Sequence, residues 1–469
     1  MGYESSAEWA QAEFGSADCV DPRWQRRLVA VAAQAARRPA GKVSEVCRSS
    51  AERQGAYGLL ESLAVTPAQV GSAMFRGCAA RCASEPYVLC AVDGSSISLT
   101  DHARSKDFGV VGARKLGTRG LKMINALAMS PQGVPLGLSA QVWWARSKHR
   151  ARKHQSQLKT EQKETRHWIE AMEQTRQVMS AHAPGILVWF QSDRETDAWP
   201  ILEQADKDGH WFTVRGNHNR RVRLPDGQKS YLRPLLGQQP VRCSYSLQVT
   251  AGPHRRARIA TMRIRACTAT LDFRDKRTKR HFAKEVNAVL ASEQGTTPTG
   301  EKPIEWLLLT NRPIHNEMHL QQIVSAYAQR WRVEDFHRTW KTGTCRVEDS
   351  QLHTTAAVIK WAMILATVAV RVERLKLLSR REPERPATDE FSAVELRAIT
   401  LLRFGKKAKL LLPDGVVPTI AQATLWVAEI GGYTGKSSGG PPGSVTLTRG
   451  LREVQVAVRA LDAMEGSSD

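Results

Sequence analysis

The chain lacks the patterns that mark several common chemistries. Its eight cysteines, Cys19, Cys47, Cys78, Cys82, Cys90, Cys243, Cys267 and Cys345, are scattered. The closest pair, Cys78 and Cys82, has no second Cys or His pair at zinc-finger spacing, so reduced structural thiols are the better reading than a metal site. No GxxxxGKS loop is present, which argues against nucleotide hydrolysis. There is no apolar run of about 18 residues and no N-terminal segment of charge followed by apolar residues, so a soluble, cytoplasmic protein is expected, with no membrane partner. Acids are scarce relative to bases, 46 Asp and Glu against 68 Lys and Arg, for a formal charge of +22 and a pI near 10.0.

That excess of positive charge points to a polyanionic partner held through phosphate contacts, with nucleic acid the leading candidate. The 469 residues, 42% of them hydrophobic, allow several domains and a substantial core. Residues 6–66 follow a helical period. Asp21 and Pro22 read as an N-cap and a first-turn proline, opening a helix whose Arg23, Arg26, Arg27, Arg37 and Arg38 give it a positive surface. Such a helix suits phosphate or groove contact; a solvated helix face is the alternative.

Between 86 and 144 the period changes to that of strands, and Asp93 lies at the end of the first apolar one. A basic connector, 146–154, is either a solvated loop or a DNA-tracking segment. A helix through 168–179 leads to a second apolar strand, GILVWFQS, ending on Asp193. A short helix near 198–205, a strand WFTVRG, a β-rich basic segment at 240–274 and a further apolar strand WLLLTN follow.

The run YAQRWRVEDFHRTWK, 327–341, reads as a single helix. At about 100° per residue, steps of −7, −4 and +7 from Glu334 put Tyr327, Arg330 and Lys341 on its face. A solvated charged surface is the competing account of that face. Two strand-borne acids, Asp93 and Asp193, and one helix-borne acid, Glu334, are however the parts required for two-metal phosphoryl transfer. Carboxylates are hard oxygen donors that suit Mg²⁺, two ions per site, with Mn²⁺ a substitute, and no His or Cys cluster competes. Singly, Asp93 could be a turn acid and Asp193 an N-cap.

The order Asp93, DRETD from Asp193, and YxxRxxxExxxxxxK ending at Lys341 resembles the DDE transposases of bacterial insertion sequences, most closely the Tn-five-type cut-and-paste enzymes. DPRW, LVAVAAQAA, GAYGLLES, EWLLLT and WRVEDFHRTWKTG extend the resemblance over nearly the whole chain. The resemblance implies an α/β fold: an RNase H-like catalytic core over 67–370 with a β-rich insertion at about 238–300. It also implies a helical DNA-end-binding domain at 1–66 and a helical dimerisation domain at 371–469. Asp93, Asp193 and Glu334 would be the catalytic metal ligands, and Tyr327, Arg330 and Lys341 would hold the DNA end. Trp306 would stack a flipped base, a core Trp being the alternative. Arg194 and Arg215 match DNA contacts, with salt bridges the alternative, and Arg23, Arg27 and Arg37 belong to the end-binding helix. Asn217 stands where the resemblance leads one to expect a Lys, which bears on the end sequence recognised.

The implied partners are double-stranded DNA, as transposon ends and as target, and a second copy in a paired-end dimer, in a bacterial cytoplasm on the nucleoid. The amphipathic segment GLREVQVAVRALDAM would supply a dimer contact. An RNase H-like nuclease would share the acids with less use for the basic N-terminal helix or Trp306. A non-catalytic regulator could lose acids that are all present here.

Overall fold

The computed structural model describes residues 5–101, 103, 105–112, 117–146, 158–224, 227–252, 255–275, 277–407, 416–435 and 440–465. Apart from Arg146, the basic connector at 146–154 therefore lies outside the described residues, and with it the DNA-tracking reading.

Side-chain caps decide where the first helices start. α1 (Ser6–Phe14) is capped by Ser5, and α2 (Pro22–Arg37) by Asp21, whose carboxylate accepts from the Arg23 amide at 2.8 Å ahead of Pro22. After the short α3 (Val43–Val46), α4 (Ser50–Glu61) opens on a capping box, in which Ser49 and Glu52 each accept from the other's amide. α5 (Pro67–Cys82) repeats the device with Thr66 and Gln69.

Among the described residues, twelve strands form one mixed sheet. β1 (Val88–Ser98) pairs with β3 (Arg119–Met129), which also carries β2 (Gly109–Val110) and β4 (Pro135–Trp144), all antiparallel. α6 (Thr165–His182) then crosses to β5 (Val188–Ser192), parallel to β1, and α7 (Trp199–Ala205) crosses to β6 (Trp211–Arg215), parallel to β5. β7 (Arg221–Arg223), β8 (Lys229–Tyr231), α8 (Leu232–Gly237), β9 (Cys243–Val249), β10 (Arg258–Arg274) and β11 (His281–Glu293) follow. β12 (Glu305–Thr310) pairs with both β11 and β6, so the β-rich segment extends the core sheet rather than standing beside it. Burial patterns separate the two halves. β5 is buried at every position because elements cover both its faces, whereas β9 alternates half-buried and exposed side chains.

α9 (Glu317–Gln329) and α10 (Arg332–Lys341) correct one expectation: 327–341 is not a single helix. The amides of Arg330 and Trp331 bond to carbonyls three residues back, Tyr327 at 3.0 Å and Ala328 at 3.4 Å. This tightened turn separates α9 from α10. Backbone dihedrals stay in the helical region, which is why side-chain periodicity misses the break.

α11 (Thr355–Arg381) bears on two more. A domain boundary at 370 falls inside this continuous helix, whose Leu375 and Leu378 pack against α12 (Ala393–Phe404), α13 (Ile420–Ile430) and α14 (Ser444–Glu465). α11 also contains an 18-residue window of mean hydropathy 1.7, contrary to the reading that no such run exists; 78% of that window is buried inside the fold. It is the central helix of the core. On its N-terminal half, Lys360 is buried and its ammonium donates to the carbonyls of Leu59, Ser62 and Val65 at 3.3, 2.9 and 2.9 Å, while Trp361 Nε1 donates to Gly41 O at 2.7 Å. These bonds lock the N-terminal helices onto α11. α14 buries Leu447 and Val454 in its own helical cluster and leaves Val445 and Val456 exposed.

Candidate active site

β1 and β5 run parallel with Val92 opposite Ser192, so the next residue on each is an acid at neighbouring positions: Asp93 and Asp193. Asp93 is not at the end of its strand as the sequence suggests, because β1 continues to Ser98 against β3. Asp193 does end its strand, and its carboxylate caps the following turn by accepting from the Glu195 amide at 2.9 Å. Its N-cap reading and its place beside Asp93 thus hold together.

α10 supplies the third acid. Glu334 lies in its first turn, and Arg330, in the break before it, stands between the two carboxylates: Nη1 is 3.4 Å from Asp93 Oδ2 and 3.5 Å from Glu334 Oε1. Arg330 is buried, so this is an ion pair partly withdrawn from water. One cation does not balance the site. Burial pushes the Asp93 carboxyl up to about 8 against the pull of Arg330, and the charges of Glu334 and Asp193 add to the rise.

Asp93, Glu334 and His337 bring ligand atoms within 4.8 Å of one another, and Asp193 stands outside this tighter group. His337 was missed in the sequence, where no His was read as competing with the acids; its signal was the helical step of three from Glu334. It is buried, and burial, with the charges of Lys341 and Arg330, pushes its imidazole down to about 3. His337 Nε2 lies 2.8 Å from Asn125 Nδ2, on β3 directly opposite Asp93.

Tyr327, Trp306, Arg215 and Trp331 gather beside Arg330. Tyr327 is buried, its phenol pushed up in pKa by burial with Arg330 and Arg215 as neighbours, and its ring meets Trp306 edge-on at 5.6 Å. Trp306 is half-buried at the start of β12. Arg215 donates to the Glu305 carbonyl at 3.1 Å, and Arg194 is exposed beside Asp193. Lys341 lies 3.9 Å from Glu348, which accepts from the Ser98 amide at the end of β1. Trp331, 57% exposed, carries Arg330 over its ring at 5.9 Å and is a second aromatic that the sequence reading passed over. Arg23 and Arg27 are exposed on α2 and Arg37 is half-buried in its last turn; Arg23 pairs with Asp21 at 2.7 Å.

The described cluster is a set of oxygen donors crowded around too little positive charge, a fit for a divalent cation and for phosphates beside it. Comparison with known families agrees with that chemistry. Residues 6–65 match the Transposase DNA-binding family, and residues 141–371 match the Transposase DDE domain, a span that takes in Asp193 and Glu334 and begins after Asp93. A DDE domain implies an RNase H-like α/β core, in keeping with the mixed sheet, and is typically dependent on a divalent metal. The chain thus carries a transposase DNA-binding domain ahead of a transposase DDE domain, which supports a DDE-class DNA transposase.

Proposed function

We propose that this transposase cuts and pastes DNA in the manner of the Tn-five-type enzymes its motifs resemble, with Asp93, Asp193 and Glu334 as its metal-holding acids. The observation that carries the reading is the meeting of Asp93 and Glu334 across a buried Arg330, with Asp193 on the adjoining strand end. All-carboxylate oxygen donors favour Mg²⁺, with Mn²⁺ a substitute. Bound there, such ions would activate the attacking water or 3′ hydroxyl and stabilise the departing oxygen.

The side chains do the positioning. Arg330 exchanges carboxylate oxygens for phosphate oxygens as a forked donor, and Lys341 holds the strand as a point charge. Tyr327 props Trp306, whose ring stacks a base unstacked from a hairpin end. Arg194 and Arg215 flank the strand, and Arg23, Arg27 and Arg37 grip the transposon end from α2. Hydrolysis at the end frees a 3′ hydroxyl; that hydroxyl attacks the opposite strand to give a hairpin, the hairpin opens, and the end joins target DNA. Each step is an in-line displacement in which one P–O bond forms as another breaks, so one site serves all four. The working unit is a homodimer with two ends paired, on the nucleoid of a bacterial cytoplasm, residues 1–66 binding the ends and α12 to α14 carrying the dimer contact.

Incubation with Mg²⁺ and a plasmid carrying the gene's flanking inverted repeats tests this. Excision through hairpin-ended intermediates supports it. Random nicking would indicate a nuclease and retardation without cleavage a regulator, and DNA cleavage by Glu334→Ala would overturn the acid assignment.

A further inference from the structure

Asp93, Asn125 and Gln141 form one row across β1, β3 and β4, Asp93 opposite Asn125 and Asn125 opposite Gln141. Directly opposed residues share a face of the sheet, and Trp143, two residues along β4, shares it too. His337 meets this row from α10, with a ring nitrogen inside the 4.8 Å group of Asp93 and Glu334. By distance alone it is a fourth candidate ligand.

The hydrogen bonds decide otherwise. Trp143 Nε1 donates to Gln141 Oε1 at 3.1 Å, Gln141 Nε2 to Asn125 Oδ1 at 2.7 Å, and Asn125 Nδ2 lies 2.8 Å from His337 Nε2. An indole N–H can only donate. Gln141 must therefore accept through its oxygen and donate through its nitrogen, and Asn125 must do the same, so His337 Nε2 receives a hydrogen into its lone pair. The ring's own hydrogen then sits on Nδ1, whose electron pair belongs to the aromatic system. Neither nitrogen keeps a lone pair for a cation. Asn125, Gln141 and His337 are all buried, which leaves the direction of the chain set by the indole rather than by solvent.

We propose that His337 is a positioning residue and not a metal ligand: the Trp143–Gln141–Asn125 chain fixes its tautomer and anchors α10, and with it Glu334, over Asp93. This rests on Asp93 and Glu334 being the acids of the active site. Such anchoring by an outer hydrogen-bonding residue is worth about 10- to 100-fold in activity.

Two measurements on the full chain test it. In metal-free protein with ¹⁵N-labelled histidine, the imidazole resonances missing from His337→Gln show hydrogen on Nδ1 and none on Nε2, and Trp143→Phe, which removes the orienting donor, populates both tautomers. With Mn²⁺ bound, electron spin echo spectra of the native protein and His337→Gln show the same nitrogen coupling. Cleavage by His337→Gln, whose amide oxygen still accepts from Asn125, stays within about threefold of native, while His337→Leu loses about 10- to 100-fold. A nitrogen coupling that disappears in His337→Gln makes the ring a ligand and overturns the proposal, as does a hydrogen on Nε2. Failure of the underlying site reading has a different signature, namely DNA cleavage by Glu334→Ala.

Discussion

Arg330 Nη1 stands 3.4 Å from Asp93 Oδ2, across 237 residues of chain, and reaches Glu334 at 3.5 Å with the same nitrogen. The guanidinium occupies the ground between the acids, so removing it leaves the buried Asp93 carboxyl and the half-buried Glu334 carboxylate facing each other. Arg330→Ala should lower metal-free stability by about 2–3 kcal/mol, toward the small end for a buried pair because both contacts are long. Excess Mg²⁺ should return part of that loss, since a ligand bound only by the folded state stabilises it. Urea melts with EDTA and with Mg²⁺ read both effects; equal losses in the two would count against a shared cation site.

Asp93→Asn makes the opposite trade. It removes a charge that burial and two neighbouring carboxylates disfavour, so the variant should melt higher than the native protein in EDTA while losing detectable cleavage. A lower melting temperature with cleavage intact would remove Asp93 from the site.

Trp306 and Tyr327 meet edge-on, and only Trp306 is open enough to take a base. Trp306→Ala should slow hairpin formation by about 5- to 150-fold, the equivalent of about 1–3 kcal/mol of stacking, and spare first-strand nicking. Labelled end duplexes resolve the two products. Equal slowing of both would make Trp306 a packing residue.

Lys360→Met tests the junction between the N-terminal helices and α11. Three carbonyls, of Leu59, Ser62 and Val65, lose their donor. The expected cost is about 3 kcal/mol by chemical denaturation, and a change below about 0.5 kcal/mol would show that water satisfies those carbonyls instead.

Glu164 carries a pH dependence. Burial alone would push its carboxyl up, but hydrogen bonds from Arg146 and Lys122 outweigh it and hold the group down to about 2 from an ordinary 4.5. A depressed carboxyl contributes stability above its unfolded value and loses it as pH falls through the folded one. The stability gap between the native protein and Glu164→Gln, about 1 kcal/mol after solvent screening, should be full above about pH 4.5 and close toward about pH 2. A gap that does not change over that window would show that Glu164 is not held by these cations.

The sequence determined much of what is local or additive. Net charge, the cap residue Asp21, and the apolar runs of β1, β5 and β12 depend on neighbours within a few residues, and each appears where composition and spacing put it. The chemical types at Asp93, Asp193 and Glu334 were equally legible. Tertiary structure decided the rest. The turn at Arg330 and Trp331 keeps helical dihedrals, so no side-chain period marks it, yet it divides 327–341 between two helices. The apolar run of α11 went unread in the sequence, and its place as a core helix comes from the other elements that bury it, a property of the whole fold and not of its own residues. His337 becomes meaningful through Asn125 and Gln141, more than 190 residues earlier, brought together by strand register. Sequence fixes which groups can donate, accept or carry charge; distance between them, on which every such interaction depends, exists only once the chain is folded.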